Sequence, residues 1–304
     1  MVVIAIVTAL AAALTFGMTS VAEQRSTKRV KTRRALSPRI LLDLARQPLW
    51  VAAIAGTVIG FALQVVALRF GELALVEPIL VCDLIFAVLI NAYLRRLWDS
   101  QIILGCVACA AGIGGFLAIA RPTGGHSQVS FIVIMPLAVG LTAGVAACIA
   151  VGRRNQRIRP LALALATGIC YGVAAFLVKL VVSDTGHGLA GVLTDWPIYA
   201  LAVVGPAGFI LNQDAFQGGV LIAPVLAIIT ACDPIISIAL AAVWLKESLN
   251  STPIGVAGQV IALIVMVTGI VVIAHRAPHV ALARPEPARH ESADGERASW
   301  TGQG

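Results

Sequence analysis

The sequence predicts an all-α polytopic membrane protein. Of its 304 residues, 59% are hydrophobic and only 12% are charged, with a mean hydropathy of +0.93. A soluble domain of this size carries many more charged side chains. Nine apolar runs are long enough to cross about 30 Å of hydrocarbon as helices. They are approximately Val2–Ala22, Leu49–Leu68, Leu73–Leu94, Gln101–Ala120, Ser130–Val151, Pro160–Val182, Trp196–Ala215, Gly219–Leu245 and Ile254–His275.

The first four runs make up a predicted first membrane repeat, residues 1–122. Val2–Ala22 is expected to be a retained helix rather than a secretory signal, because its positive charges follow the apolar stretch instead of preceding it. The segment 23–48 is a basic loop. A juxtamembrane basic run of this kind is expected to set topology and to contact anionic lipid.

The fifth run is a connecting helix, residues 130–151, and the last four runs make up a second repeat, residues 160–277. The seventh run carries Pro206 and Asp214, and the eighth carries Pro224 and Pro234. The tail, 278–304, is rich in Pro, Ala, Glu, Arg and His and is predicted to be disordered in the cytoplasm.

Lysine and arginine predict the orientation. If nine helices alternate, most of these residues lie on one side, in the basic loop, after the third and fifth runs, and in the tail. The other side receives only Arg69, Arg121 and Lys246. Because positive charge collects on the cytoplasmic side, we expect a plasma (inner) membrane protein with its N-terminus outside and its C-terminus in the cytoplasm. The formal charge of +7 therefore calls for no nucleic-acid partner.

An internal repeat appears when the chain is shifted on itself by about 150 residues. The corresponding segments are Phe16-Gly17 with Tyr171-Gly172, Gly60–Gln64 with Gly208–Asn212, Cys82-Asp83 with Cys232-Asp233, and Leu94–Arg96 with Leu245–Glu247. The single connecting helix between the two four-helix units inverts the second one in the membrane. Inverted repeats of this kind are typical of secondary transporters.

Asp83 and Asp233 are the leading candidates for a functional site. Each lies near the middle of an apolar run, where a charge costs roughly 2.5–3.5 kcal/mol on insertion scales. We expect them to bind a cation or to exchange a proton. The alternative is a pair of protonated carboxyl groups that are hydrogen-bonded between helices, or satisfied by backbone freed at Pro234.

Glu77 and Lys179 lie near the outer ends of their runs. Glu77 directly precedes Pro78 and is either an outer gate or cation ligand, or a carboxyl group that reaches the headgroups. Lys179 either extends to the outer surface or is a counter-ion for Glu77 or Asp184.

Amide side chains add a second polar group. Asn212, Gln213 and Asp214 lie toward the inner end of the seventh run, and Gln64 corresponds to Asn212 in the repeat. Such oxygens can bind an organic substrate or a cation, but they also join helices, and Asp214 is close enough to the cytoplasm to be solvated.

Small residues indicate helix packing. The glycine pairs Gly56 and Gly60, Gly140 and Gly144, and Gly168 and Gly172 have the spacing that lets helices approach closely. The six cysteines all lie in apolar runs, so Cys106 and Cys109 are expected to be packing residues rather than redox or metal ligands. No metal site and no cofactor are expected.

The second half of the chain carries a family resemblance. Ala223-Pro224, Asp233-Pro234 and Trp244 to Leu249 follow in order, before a last run punctuated by glycine. This order resembles the EamA-type proteins of the drug/metabolite transporter superfamily, over nearly the whole chain up to about Ala277. The resemblance implies a central cavity beside the runs that hold the two aspartates.

The count of nine runs is more similar to the NIPA-type magnesium transporter branch. Trp50, Gln64 and Val76-Glu77-Pro78 are part of this likeness. Phe61, Glu77 and Gln64 stand where that branch is expected to have an acid, a threonine and an asparagine.

These observations predict a secondary transporter of a small organic solute, with proton or cation coupling by the acids. A carrier of magnesium or another divalent cation is the alternative, and a scaffold or sensor without transport is an alternative of another class. An enzyme is not expected, because the five histidines lie in loops, in the tail or at a helix end. The sequence contains no GxxxxGK[ST] motif, so ATP-driven transport by this chain alone is not expected.

Overall fold

The computed structural model describes residues 1–27, 48–96, 98–124, 131–183, 193–216 and 222–282. Within these ranges the chain is helical apart from short turns. The ten main helices are α1 (Val2–Thr27), α2 (Pro48–Phe70), α3 (Leu73–Leu80), α4 (Cys82–Arg95), α5 (Ser100–Ala120), α6 (Phe131–Arg154), α7 (Arg159–Ser183), α8 (Trp196–Phe216), α9 (Ile222–Val243) and α10 (Pro253–Leu282). We call α1–α5 the first half and α7–α10 the second half.

A polytopic all-α membrane protein is confirmed at the level of its spans. In the described part of the chain, eight helical segments are long and apolar enough to cross a membrane. The predicted seventh run does form a helix, α8, but it is not among those eight. Its last turn carries Asn212, Gln213 and Asp214, and it contains Pro197 and Pro206, so its most apolar stretch is too short.

The third span consists of two helices, α3 and α4, that meet at Val81. Val81 has right-handed helical angles, φ −58° and ψ −19°, so the chain continues as one apolar segment, Leu73–Leu94. Pro78 lies inside α3 and removes one helical hydrogen bond. The short helix α3 therefore has fewer internal hydrogen bonds than a full membrane helix.

The last helix is longer than the sequence predicts. α10 continues to Leu282, beyond the expected end at His275 and into the segment predicted to be disordered. A proline removes only one hydrogen bond from the preceding turn, so Pro278 does not end the helix. Residues 283–304 of the predicted tail and residues 28–47 of the predicted basic loop lie outside the described residues.

The helices pack in the same way within each half. In the first half α1 packs on α2 and α4, and in the second half α7 packs on α8 and α9. The halves meet where α5 packs on α10, α3 on α9 and α2 on α7, whereas α6 packs mainly on α7. A hydrophobic core drawn from both halves includes Leu68, Leu73, Val76, Phe116 and Phe176.

Glycine lets α5 and α10 approach backbone to backbone. A Cβ atom added at Gly112 would meet the backbone nitrogen of Met266, and one added at Gly269 would meet that of Cys109. Cys106 and Cys109 are buried beside this interface. Both therefore occupy packing positions.

The predicted glycine pairs have different outcomes. Gly56 packs on Thr19, Gly60 on Phe16 and Gly168 on Cys232. The expectation for Gly140 and Gly144 is wrong, because nothing in the described structure lies within 4 Å of a Cβ atom at either position. Neither glycine marks a close helix contact in the described part of the chain.

One end of the bundle gathers the start of α1, the α2–α3 turn (residues 71–72), residues 121–124 and residues 244–252. We call it the Met1 end. A Cβ atom at Gly71 would lie 2.5 Å from the Cβ atom of Ala5. Thr123 and Ser248 form an isolated antiparallel bridge, which joins the end of α5 to the segment after α9.

Candidate functional site

Three acidic side chains from both halves converge inside the bundle. Glu77 lies on α3, Asp83 on α4 and Asp233 on α9. The charges of Asp83 and Asp233 both act on the carboxyl group of Glu77, and the charge of Asp233 acts on Asp83. We call these three residues the carboxyl cluster. The sequence nominates each of them, and the structure brings them together.

The cluster lies well inside the membrane-spanning depth. At 1.5 Å per residue, Glu77 is about 6 Å and Asp83 about 15 Å from Leu73 along the helix axis. Asp233 is about 15 Å from Val243, the last residue of α9. Since the hydrocarbon core is about 30 Å thick, the two aspartates lie near its middle.

Gln64 holds the carboxyl group of Glu77. Its side-chain amide nitrogen, Nε2, donates to Oε1 of Glu77 at 3.3 Å. Glu77 is only 3% exposed, so it does not reach the headgroup region as one of the two predicted roles required. Gln64 therefore connects α2 to α3 by this hydrogen bond, which is the helix-joining role predicted for it as one of two alternatives.

Asp233 has a buried carboxylate oxygen without a partner. Its Oδ1 atom is inaccessible and accepts no hydrogen bond from any described residue, although the rest of the side chain is half-buried. Its charge acts on the hydroxyl group of Tyr171. A buried polar atom with no hydrogen-bond partner is energetically costly.

Glycine places a helix against the backbone of each aspartate. A Cβ atom at Gly17 would lie 2.8 Å from the carbonyl oxygen of Asp83, and one at Gly172 would lie 2.8 Å from the carbonyl oxygen of Asp233. Any larger residue would push α1 away from α4, or α7 away from α9. The two halves therefore hold their aspartates by the same contact.

A second contact occurs in both halves. Gly60 of α2 faces the ring of Phe16, and Gly208 of α8 faces the ring of Tyr171. These are the residues that the repeat in the sequence pairs with one another. The space that each glycine leaves is filled by an aromatic ring from the first helix of the same half.

A residue with left-handed backbone angles follows α4 in the first half and α9 in the second. Arg96 and Lys246 both adopt left-handed angles, with φ of 54° and 50°. Each follows its aspartate, Asp83 or Asp233, at the same spacing in the sequence. By this backbone geometry Arg96 is equivalent to Lys246, whereas the sequence comparison pairs it with Glu247.

The amide group on α8 lies away from the carboxyl cluster. Asp214 is about 27 Å along the axis from the start of α8 at the Met1 end, so it lies near the opposite end of the bundle. Asn212 and Asp214 are half-buried and Gln213 is exposed. The structure does not place these residues at the depth of the two aspartates.

Lys179 binds the end of α2. Its ammonium group, Nζ, donates to the carbonyl oxygens of Leu68 at 2.8 Å and Gly71 at 2.6 Å. The carboxylate of Glu72 is 4.0 Å away. The side chain is 12% exposed and thus turned inward rather than toward the outer surface. Of its two predicted counter-ions, Glu77 is not its partner, and Asp184 lies outside the described residues.

Glu247 is a site residue that the sequence analysis did not identify. Its two carboxylate oxygens accept the backbone N–H groups of Leu73 at 2.7 Å and Ala74 at 3.0 Å, the first residues of α3. It is 3% exposed. The available signal was an acidic residue just after an apolar run. Such a residue lies near the membrane surface, where a charge is common, so its depth did not single it out.

Burial raises the pKa of Glu247 to about 7. The N–H groups of Ala74 and Leu73 oppose this rise because they favour the ionised form. The negative charge of Glu72 adds to the rise in pKa, and the positive charge of Lys179 opposes it.

The metal-binding alternative finds no ready-made ligand set. Among the residues that the structure describes, no group of three or more His, Cys, Asp or Glu side chains is arranged to hold a metal ion. The acids of the carboxyl cluster are within electrostatic range of one another.

An apolar cavity of about 270 Å³ lies between α6, α7 and α8. Leu141, Phe176, Trp196 and Val203 are among the residues that line it, and Thr142 is also there. The acids of the carboxyl cluster do not line it.

Comparison with known proteins adds one relative. An uncharacterized protein of Corynebacterium glutamicum is 28% identical to this chain over 268 residues, which cover 87% of this chain and 92% of that protein. No family model matches the chain, and no solved structure matches it. Fold and site together define the class: a polytopic all-α membrane protein with buried acids between its two halves.

Proposed function

We propose that this protein is a secondary transporter that moves a small organic solute across the plasma membrane by alternating access. The observation that carries the proposal is the carboxyl cluster, with acids contributed by α3, α4 and α9. Its acids exchange protons or bind a cation during transport. No resident cofactor and no catalytic residue are part of the proposal.

The physical argument is the cost of charge at this depth. Three carboxyl groups within electrostatic range of one another repel when ionised, and the surrounding hydrocarbon increases that cost. Protons or a bound cation relieve it. The unpaired Oδ1 atom of Asp233 is the position where such a cation or proton has no competing hydrogen bond.

The repeated contacts support a mechanism in which the halves exchange shapes. Gly17 with Asp83 resembles Gly172 with Asp233, and Gly60 with Phe16 resembles Gly208 with Tyr171. We propose that α8 counts as a ninth span despite its polar end. The two four-helix units, α1–α5 and α7–α10, are then inverted relative to each other, with the N-terminus outside.

The experiment is flux in proteoliposomes made with the parent protein and with Glu77→Gln, Asp83→Asn and Asp233→Asn. A panel of organic cations, neutral organic solutes, amino acids and Mg²⁺ is tested with and without a pH gradient. We expect flux of an organic solute that falls at least about tenfold in each variant, the change that corresponds to about 1.4 kcal/mol of lost interaction.

Asp99→Asn is the matched control. Asp99 is an acid that caps α5 by accepting the backbone N–H of Gln101 at 2.8 Å, at the end of the bundle opposite the Met1 end. Flux should be unchanged in this variant. Selective flux of Mg²⁺ would support the NIPA-type alternative, and the absence of any flux in the parent would favour a scaffold or sensor. Flux that survives all three substitutions would remove the carboxyl cluster from the mechanism.

A further inference from the structure

The α2–α3 turn is bound from the second half on both of its sides. On one side, Lys179 of α7 donates to the carbonyl oxygens of Leu68, before the turn, and of Gly71, the first residue of the turn. After the turn, Glu247 accepts the N–H groups of Leu73 and Ala74. All four contacts are between 2.6 and 3.0 Å.

The charges match the backbone groups that they meet. The last carbonyl oxygens of a helix carry partial negative charge and favour a cation, whereas its first N–H groups carry partial positive charge and favour an anion. Lys179 and Glu247 thus satisfy groups that neither α2 nor α3 can satisfy internally. Both residues come from helices or turns of the other half.

This turn lies next to the carboxyl cluster, on the side of the Met1 end. α3 is eight residues long, and Glu77 is about one turn inside its bound N-terminus. Gln64, the partner of Glu77, lies on α2, before the same turn. The position of Glu77 therefore depends on the contacts that hold both helices at the Met1 end.

Resting on the transport function proposed above, we propose that Lys179 and Glu247 form a clamp on the α2–α3 turn. The clamp closes the path between the two halves at the Met1 end, and its release opens that path to Glu77. Both are positioning residues, since they act on the backbone of α2 and α3 and not on a substrate.

Further contacts join the halves at this end. Arg69 of α2 donates to the carbonyl oxygen of Val182 in α7 at 2.7 Å, which is the reciprocal of the bond from Lys179 to α2. Thr123 and Ser248 pair at the surface. Water reaches the carboxyl cluster from the Met1 end only when the contacts across the α2–α3 turn separate.

Accessibility of a buried thiol tests the clamp without measuring transport. Val76 on α3 is fully buried, between the clamp and the carboxyl cluster. A Val76→Cys variant in sealed vesicles is treated with a membrane-impermeant maleimide. Its rate is divided by that of Ile254→Cys, whose position is 87% exposed at the same end, and the signal from the six native cysteines is subtracted.

We expect the normalised labelling rate to rise about tenfold when Glu247→Gln or Lys179→Met is added. Glutamine offers a single acceptor oxygen, so a buried N–H group of α3 loses its bond, and methionine leaves two carbonyl oxygens without a donor. The combined variant should rise by less than the product of the two single effects, because both substitutions release the same turn.

Arg121→Gln and Asp99→Asn are the matched controls. Arg121 donates to the carbonyl oxygen of Ala118 within its own helix, and Asp99 caps its own helix, so neither joins the halves. Both should leave labelling of Val76→Cys unchanged. Equal labelling in parent, Glu247→Gln and Lys179→Met overturns the clamp, whether or not the protein transports. Increased labelling in Glu247→Gln and Lys179→Met, together with no flux in the parent, would keep the clamp and overturn the transport proposal.

Discussion

Glu247 is a carboxyl group that is buried but lies outside the membrane-spanning segments. Its surroundings include the negative charge of Glu72, the positive charge of Lys179 and two backbone N–H groups. Burial prevails over the groups that favour ionisation, and the pKa rises from an ordinary value of 4.5 to about 7. The residue therefore links the stability of the folded protein to pH.

The sign of this link follows from the raised pKa. The folded protein holds the proton of Glu247 more tightly than the unfolded chain, so the stabilising contribution is fully present below about pH 4.5. It is lost as the pH rises through about 7. We expect the thermal midpoint of the parent minus that of Glu247→Gln to decrease as the pH rises from about 5 to about 8. Thermal unfolding in detergent at several pH values measures it, and a difference that grows with pH would contradict the assignment.

At the residue scale, the mid-membrane acids were the most predictable part of the candidate site. Asp83 and Asp233 stand out because the hydrophobic residues around them leave no ordinary reason for a charge. Lys179 and Glu247 do not stand out, because a charged residue near the end of a span is common. Their partners are backbone groups of α2 and α3, more than a hundred residues away, and backbone groups leave no mark in a sequence.

The pairing of α5 with α10 depends on glycine at particular positions. Gly112 contacts the backbone of Met266 directly, whereas nothing lies within 4 Å of a Cβ atom at Gly114 in the described structure. Both residues lie on α5, two positions apart. Replacing each by alanine therefore separates two effects: the steric cost of a methyl group at a close helix contact, and the higher helix propensity of alanine at an open position.

We expect Gly112→Ala to destabilise the protein by about 1–3 kcal/mol, because the added methyl group must push α10 away. Gly114→Ala should be neutral, or stabilising by up to about 1 kcal/mol, because alanine favours the helix and meets no neighbour. Denaturation of both variants in detergent checks the difference. Equal effects at the two positions would show that the α5–α10 contact is looser than described.

Elements were predictable to the extent that hydropathy determines them. Most predicted runs agree with the observed helices to within a few residues, since burial of an apolar backbone in lipid requires helix formation. The division of the third span into α3 and α4 and the continuation of α10 were not predicted. Both depend on the local backbone geometry around a proline, which composition does not report.

The proposed orientation of the whole molecule follows from the distribution of lysine and arginine over an odd number of spans. A cysteine at exposed Ile254, at the Met1 end, is expected to react with an impermeant maleimide in intact cells or spheroplasts. A cysteine at exposed Trp98, between α4 and α5 at the opposite end, should react only after permeabilisation. The reverse pattern would place the N-terminus in the cytoplasm and would contradict the orientation predicted from lysine and arginine.

At the scale of the whole molecule, the sequence by itself determined the class of protein, most of its spans and the two repeated aspartates. These properties follow from hydropathy along the chain, because each apolar segment meets the requirements of the bilayer by its own length and composition. Only the tertiary structure decided that Glu77 joins the two aspartates, and that Lys179 and Glu247 hold the α2–α3 turn. These contacts depend on which face each helix turns toward its neighbour, and that rotation is set by close packing at glycines such as Gly17 and Gly172 rather than by hydropathy.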